Sequence, residues 1–149
     1  MVIRPLVPDD ADLYRELLVS LSERDRYLRF FHTVRRVGEA EIEPFVRDNP
    51  NMIGLMAIEN GEAVGAAHAF IDEARSSAEF AVQVRPEYRH RGIGGQLLEH
   101  AIRELHKRGV RELVAHSFID NSEFTLVATD AHMRPEREGA GVNLWRLPI

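Results

Sequence analysis

The residues best suited to chemistry are a run of basic side chains and glycines that comes directly before an amphipathic helix pattern. The run reads Arg89-His90-Arg91 and then Gly92-Ile93-Gly94-Gly95. The first amide groups of a helix have no acceptor within the helix, and that end carries about half a positive charge. Glycines let a loop backbone close around phosphate oxygens because they have no Cβ atom. The run therefore predicts a binding site for a small anionic ligand.

Two common phosphate-binding patterns do not fit this run. The dinucleotide-binding pattern GxGxxG would need a third glycine where the chain has Leu97, and the P-loop needs a lysine after its last glycine. The run does match R-x-x-G-x-G, from Arg89 to Gly94. Which phosphate-bearing ligand this pattern serves depends on the elements around it.

Strand and helix patterns alternate along the chain. Asn60-Gly61 joins two apolar runs and is a strong hairpin signal. Strands are predicted at 2–8, at 52–71 as a hairpin, and at 77–86, 110–119 and 142–149. Helices are predicted at 9–21, 23–32, 38–48, 94–109 and 120–132. A βαβ unit runs through the glycine segment, so we expect a mixed α/β sheet flanked by helices.

Composition places the chain among soluble globular proteins. It has 149 residues, of which 44% are hydrophobic and 29% charged, enough for one domain with its own core. No apolar run is long enough to cross a membrane, the N-terminus lacks a secretory signal pattern, and there is no cysteine. We therefore expect a single domain over residues 1–149, in the cytoplasm. The net charge of -5 argues against a nucleic-acid partner.

The match to R-x-x-G-x-G extends into a family resemblance. The pattern resembles the acetyl-CoA motif of the GNAT N-acetyltransferase superfamily, and residues 82–113 resemble that family's strand, turn and helix throughout. Two further segments, R-Y-x-R-F-F at 26–31 and A-E-F-A-V at 78–82, are similar to the bacterial Pat-type protein lysine acetyltransferases. The resemblance covers nearly the whole chain. It implies the GNAT fold, in which two central strands of a mixed sheet splay apart to form an acetyl-CoA cleft.

The resemblance also implies which residues bind acetyl-CoA. Backbone groups of Val82, Gln83 and Val84 would pair with the pantetheine arm as if the arm were an added strand. Asn121, at the start of the last helix, would contact the same arm. The turn that binds the pyrophosphate, mainly through its amides from His90 onwards, would comprise Arg89, His90, Arg91, Gly92, Ile93, Gly94 and Gly95.

Glu79 matches the acidic residue that serves as general base in the Pat-type branch. The chemistry gives an independent reason for a carboxylate here. A lysine ammonium has no lone pair, and deprotonating it at pH 7 costs roughly 4 to 5 kcal/mol. A carboxylate near the acetyl group can accept that proton. We therefore expect direct acetyl transfer to a primary amine with Glu79 as base, and the resemblance favours a protein lysine side chain as acceptor.

One departure from the family keeps other functions open. Many members have a tyrosine seven residues after the asparagine, where it protonates the leaving thiolate, and here that position is Ala128. A thiolate with a pKa of about 8 to 9 can leave without such an acid. An acetyltransferase for small amines and a non-catalytic acyl-CoA-binding or sensing domain therefore remain alternatives. The sequence does not determine the oligomeric state, and a homodimer is one of the options.

Other polar and aromatic residues have weaker claims to function. His116, on the strand after the cofactor helix, is a second candidate for the base at the acceptor cleft. No histidine pair has the spacing of a metal site, so no metal is expected. On the second predicted helix, two sets of side chains are expected to be structural: the aromatic core residues Tyr27, Phe30 and Phe31, and the solvated arginines Arg24, Arg26 and Arg29.

Overall fold

The computed structural model describes residues 1–149 and contains one mixed sheet of seven strands with five α-helices. The strands are β1 (Val2–Pro5), β2 (Met52–Glu59), β3 (Glu62–Asp72), β4 (Ser77–Val84), β5 (Glu112–Phe118), β6 (Arg134–Gly139) and β7 (Val142–Pro148). The helices are α1 (Ala11–Ser20), α2 (Glu23–Phe30), α3 (Glu39–Val46), α4 (Ile93–Lys107) and α5 (Ser122–Asp130). The strand order is β1-β2-β3-β4-β5-β7-β6, and only β4 and β5 are parallel neighbours. The predicted mixed α/β sheet is confirmed.

Local sequence explains the elements that frame the cleft. The β2–β3 hairpin turns at Asn60 and Gly61, which both have positive φ, as the Asn-Gly signal predicts. After α4, Gly109 has φ 80°, a left-handed conformation that suits glycine at a helix end. Leu98 and Leu105 of α4 are fully buried and hold the helix against the sheet. The start of α4 is therefore fixed relative to the end of β4.

Each face of the sheet carries its own buried cluster. Leu97 of α4 and Phe80 of β4 belong to the larger cluster, on the side of α4 and α5. Tyr14 of α1 and Ile42 of α3 belong to the smaller cluster, on the opposite side. Since side chains alternate along a strand, the neighbours of Phe80 on β4 project toward the side of α1 to α3.

β4 and β5 separate partway along their length. They pair only from Ser77 to Glu79 on β4, against Glu112 to Val114 on β5. Beyond Glu79 the side of β4 that faces β5 has no strand partner. The family resemblance implied that two central strands would part in this way. Their separation opens a cleft beside the N-terminus of α4.

Two predictions of local structure were wrong. Residues 134–139 form β6, an edge strand on which every residue is exposed. Its charges and Pro135 hide the strand pattern, although such residues are common on edge strands because they prevent further pairing. On α2, Tyr27 and Phe31 are 42% and 40% exposed and stack on Phe118, so they do not belong to the core.

No helix combines the length and the apolar character that crossing a membrane requires.

Candidate active site

The turn between β4 and α4 leaves the start of α4 open to a cavity. Gly92, the N-cap residue, has φ 81°, and His90 has φ 64°, so the backbone enters the left-handed region twice. No side chain caps the helix, and its first amides therefore lack an acceptor. A Cβ added at Gly92 or Gly95 would meet no atom within 4 Å. The turn has the free amides and the space that an anion cradle needs.

Ile93 and Gly94 anchor this turn to the rest of the protein. The Ile93 side chain is buried and belongs to the larger cluster. A Cβ at Gly94 would lie 2.9 Å from Cγ2 of Val127, so glycine at this position permits close packing of α4 against α5. Ile93 and Gly94 therefore fix the orientation of the first amides of α4. These amides are accessible because Gly92 and Gly95 place no side chain in front of them.

Two of the three basic side chains of the turn lie against acidic residues, and the third lies over an aromatic ring. The Arg89 guanidinium pairs with Asp25 of α2 at 3.0 Å and also donates to the Val84 carbonyl at 3.3 Å. His90 lies 3.6 Å from Glu123 of α5. Arg91 lies over the ring of Tyr88. In this structure the backbone of the turn is free to bind an anion, whereas the Arg89 side chain is already paired.

A continuous cavity of about 1110 Å³ joins this turn to the open edge of β4. All but one of the predicted cofactor residues line it, the exception being Arg91. The lining members of that set are Val82, Gln83, Val84, Arg89, His90, Gly92, Ile93, Gly94, Gly95 and Asn121. Their assignment to acetyl-CoA stays a prediction.

Asn121 is the N-cap residue of α5 and lies on the far wall of the cavity. Its side-chain oxygen accepts a hydrogen bond from the amide of Phe124 at 3.1 Å. Its side-chain nitrogen donates no hydrogen bond within the protein. Asn121 can therefore cap α5 and offer its amide nitrogen to a ligand at the same time.

Glu79 is the last residue of β4 to pair with β5, and its half-exposed carboxylate lines the cavity. Its Oε2 atom lies 3.2 Å from Nδ1 of His116 on β5. The other ring nitrogen of His116 lies 2.7 Å from a carboxylate oxygen of Glu138, on β6. A histidine thus lies between two carboxylates where the central strands part. No group of histidine and acidic side chains is arranged to bind a metal ion.

Glu138 was not among the residues that the sequence analysis selected. It lies on β6, the strand that was not recognised, and no motif surrounds it. No local pattern could have selected it, because β7 lies between β6 and the strand β5 that bears His116. Ala128, which stands where many family members have a tyrosine, is fully buried in α5, so it leaves no acid at that position.

Two arginines of α2 are not solvated, contrary to prediction. Arg26 is 9% exposed, and its guanidinium donates to four backbone carbonyls, those of Leu18, Leu21, Val34 and Arg35. Only Arg24 is exposed, and it pairs with Asp120 at 3.3 Å. Positions 26 and 29 share a helix face because they are three residues apart, and that face turns toward the sheet.

Arg29 is the second inward arginine, and it lines the cavity. Its Nε donates to the side-chain oxygen of Gln83 at 3.1 Å, and Gln83 in turn donates to the Tyr14 hydroxyl at 3.2 Å. Its Nη2 atom is buried and has no hydrogen-bond partner. Burial lowers the pKa of the Arg29 guanidinium, whereas the nearby Tyr14 and Glu79 raise it.

Aromatic rings form a wall beside Arg29 on this side of the cavity. The Arg29 guanidinium lies 4.8 Å from the centroid of Phe30 and 5.2 Å from that of Phe45. The Phe45 centroid lies 6.0 Å from that of Phe70. Phe70 is the residue of β3 that pairs with Glu79. The wall therefore leads from Arg29 to Glu79.

The parted strands and the open helix start agree with the fold that the family resemblance implies. A model of the acetyltransferase (GNAT) family matches residues 14–123. The chain therefore belongs to the GNAT acetyltransferase family.

Solved structures share this fold over nearly the whole chain. The GNAT domain of S. lividans PAT is 24% identical, with a TM-score of 0.92 over 99% of this chain and 89% of that one. The PaiA N-acetyltransferase from Thermoplasma acidophilum, solved in complex with coenzyme A, is 17% identical, with a TM-score of 0.75 over 99% and 98%. The ribosomal-protein-S18-alanine N-acetyltransferase from Escherichia coli is 19% identical, with a TM-score of 0.75 over 99% and 93%. The likeness to PAT agrees with the resemblance to the Pat-type branch.

Acetyl-CoA is the acyl donor of this family, and the cavity has the features that this molecule requires. The uncapped start of α4 offers amides to a pyrophosphate, and an added Cβ at Gly92 or Gly95 would point into open space. The unpaired edge of β4 offers backbone groups to the amides of the pantetheine arm. The residues present fit the donor.

Proposed function

We propose that this protein transfers the acetyl group of acetyl-CoA to a primary amine, with Glu79 as general base. The observation that carries the proposal is the position of Glu79. It is the last paired residue of β4, and it lies in the same cavity as the open start of α4. A donor that runs from the amides of α4 along the free edge of β4 ends near this carboxylate.

Each part of the proposed site has one task. Amides from His90 to Gly95 hold the pyrophosphate, and backbone groups of Val82 to Val84 hold the pantetheine arm, while Asn121 contacts that arm from the opposite wall. The donor supplies an acetyl group activated as a thioester. Glu79 removes a proton from the ammonium group of the acceptor, which gives the nitrogen a lone pair. A nitrogen–carbon bond then forms and the carbon–sulfur bond breaks, and the second proton that the nitrogen loses goes to the departing thiolate.

The resemblance to the Pat-type branch supports a protein lysine side chain as the acceptor. The half-exposed position of Glu79 also supports this choice, because a lysine side chain can approach it from solvent. A small amine is the second candidate. It is favoured by the aromatic wall behind Glu79, where the cavity extends under α2 and α3 to Phe30 and Phe45.

The experiment that tests the function is a thiol-release assay with acetyl-CoA and a panel of amines, including a lysine peptide and small amines. We expect release with at least one amine. Glu79→Gln, which keeps the size of the side chain but removes its basicity, should lower kcat/KM by about 100-fold or more. Binding of coenzyme A to the variant, measured by calorimetry, should stay unchanged.

Two results would point elsewhere. If coenzyme A binds but no amine releases thiol, the protein is an acyl-CoA-binding or sensing domain. If turnover persists in Glu79→Gln, another group removes the proton, and His116 becomes the first residue to test.

A further inference from the structure

We propose that Arg29 forms a carboxylate-binding subsite in the acceptor side of the cavity, and that the acceptor is an apolar amine which itself carries a carboxylate. This inference rests on the proposed acetyl transfer and takes up its small-amine alternative, for which it names the acceptor class. It starts from the charge of Arg29, which no carboxylate of the protein contacts directly.

No ion pair of the structure includes Arg29. Its only hydrogen bond goes to the neutral amide of Gln83, and its Nη2 atom is buried without a partner. The rings of Phe30 and Phe45 offset part of the cost of burial, but they bring no negative charge. Partial burial of the guanidinium without a contacting carboxylate is unfavourable, and an anionic ligand would offset that cost.

Arg26 provides an internal comparison. It lies on the same helix and the same face, and backbone carbonyls of four residues accept hydrogen bonds from its guanidinium. Arg26 therefore has a structural role, because its hydrogen bonds connect the end of α1 with the loop after α2. Arg29 has no such role and lines the cavity instead.

The position of Arg29 relative to Glu79 defines what can lie between them. Glu79, Ala81 and Gln83 share one face of β4, and Arg29 is bound to Gln83 at the end of this row. Ala81, midway along the row, lines the cavity and has a side chain too small to fill the space above the strand. The rings of Phe45 and Phe70 flank the row and connect its two ends. The space is apolar along its length, with a carboxylate at one end and a guanidinium at the other.

A ligand complementary to this space has an amine, an apolar body and a carboxylate. Its amine would meet Glu79, its body would contact the rings, and its carboxylate would accept hydrogen bonds from Arg29. Arginine suits this task because its guanidinium stays charged and makes charge-assisted hydrogen bonds to carboxylates. Polyamines would be repelled from Arg29, and a protein lysine side chain would bring no carboxylate to it.

The test compares amines that differ only in the carboxylate. 6-Aminohexanoate and hexylamine are one such pair, and 8-aminooctanoate and octylamine are another, because their amine and terminal group lie at opposite ends of an apolar chain. Initial rates of thiol release with acetyl-CoA are measured for the unmodified protein, Arg29→Gln, Arg29→Lys and Arg103→Gln. Arg103 is an exposed residue of α4 away from the cavity, so its variant controls for the loss of one arginine.

We expect the unmodified protein to prefer the carboxylated member of each pair. Arg29→Gln should lower kcat/KM for that member by about 10- to 100-fold, the effect of losing charged hydrogen bonds, and should leave the uncharged partner within about 3-fold. For the carboxylated amine, kcat/KM of Arg29→Lys should lie between those of the unmodified protein and Arg29→Gln, because lysine keeps the charge but not the planar guanidinium. Arg103→Gln should change neither rate.

Several results would overturn the inference. One is an equal loss of kcat/KM for both members of a pair, which would give Arg29 a structural role. The midpoint temperature of thermal unfolding of Arg29→Gln would then fall as well. Another is an Arg29-dependent preference for succinyl-CoA over acetyl-CoA, which would place the carboxylate on the acyl group. A third is turnover of the lysine peptide alone. Absence of thiol release with every amine, in contrast, would refute the proposed function as well.

Discussion

Glu79 and His116 face each other across the fork between β4 and β5, with Oε2 and Nδ1 3.2 Å apart. Glu79 is the last residue of β4 to pair with β5, and His116 lies two residues beyond the last paired residue of β5. His116 is held from its other side by Glu138. We interpret His116 as a positioning residue that fixes the Glu79 carboxylate, and this interpretation can be tested.

His116→Gln should lower kcat/KM for the best amine by about 5- to 10-fold, the worth of one hydrogen bond. If His116 acts only through Glu79, the double variant Glu79→Gln/His116→Gln should be no slower than Glu79→Gln alone, because coupled residues are not additive. Steady-state kinetics of the three variants measures this. A further large drop in the double variant would make His116 an independent base.

The ion pair between Asp25 and Arg89 should control the geometry of the glycine turn. Both side chains are only 21% exposed, and the pair links α2 to the turn. Asp25→Asn and Arg89→Gln should each weaken coenzyme A binding, because each releases the turn from α2. The double variant should be no weaker than the worse single variant, with a coupling of about 1 kcal/mol in a calorimetric cycle. Additive losses would mean that Arg89 contacts the ligand directly rather than through Asp25.

Asn121 allows its two roles to be separated. Asn121→Asp keeps an oxygen that can cap α5 but removes the amide nitrogen, whereas Asn121→Ala removes both groups. Only Asn121→Ala should lower the free energy of unfolding, by about 1 kcal/mol. Both should weaken coenzyme A binding if the nitrogen contacts the pantetheine arm. Denaturant unfolding and calorimetry measure the two effects, and unchanged binding in Asn121→Asp would limit the residue to capping.

Stability should decrease as the solution becomes acidic because of His68. This histidine is buried, and burial together with the nearby Arg29 lowers its pKa from 6.5 to about 3. Between these values the unfolded chain binds a proton that the folded protein does not, so stability falls with decreasing pH by up to about 1.4 kcal/mol per pH unit. Denaturant unfolding from pH 7.5 to about 4 should show this slope, and His68→Gln should flatten it. An equal slope in the variant would assign the effect to other groups.

Much of the framework was predictable because its signals are local. Asn60-Gly61 dictates a hairpin, and the run from Arg89 to Gly95 followed by an amphipathic helix dictates the turn. Glu79 was selected as the candidate base because it lies within a motif. These features depend on a few neighbouring residues, and the surrounding fold does not change them.

Other features depend on contacts that are distant in sequence. Glu138 meets His116 only because β6 folds back along β7, and a charged edge strand has no clear pattern. Arg26 and Arg29 carry charges that favour a solvated helix face, so their inward orientation follows from the Val34 carbonyl and from Gln83, not from α2 itself. Their spacing of three residues was a signal for a shared face, but it did not say which way that face points.

A crystal structure of the protein with bound acetyl-CoA tests the central claim most directly. We expect the pyrophosphate within about 3 Å of amides between His90 and Gly95, which is hydrogen-bonding distance. The pantetheine arm should lie along the free edge of β4, with the acetyl group beside the Glu79 carboxylate. A pyrophosphate bound elsewhere, or an acetyl group at the opposite end of the cavity from Glu79, would contradict the account.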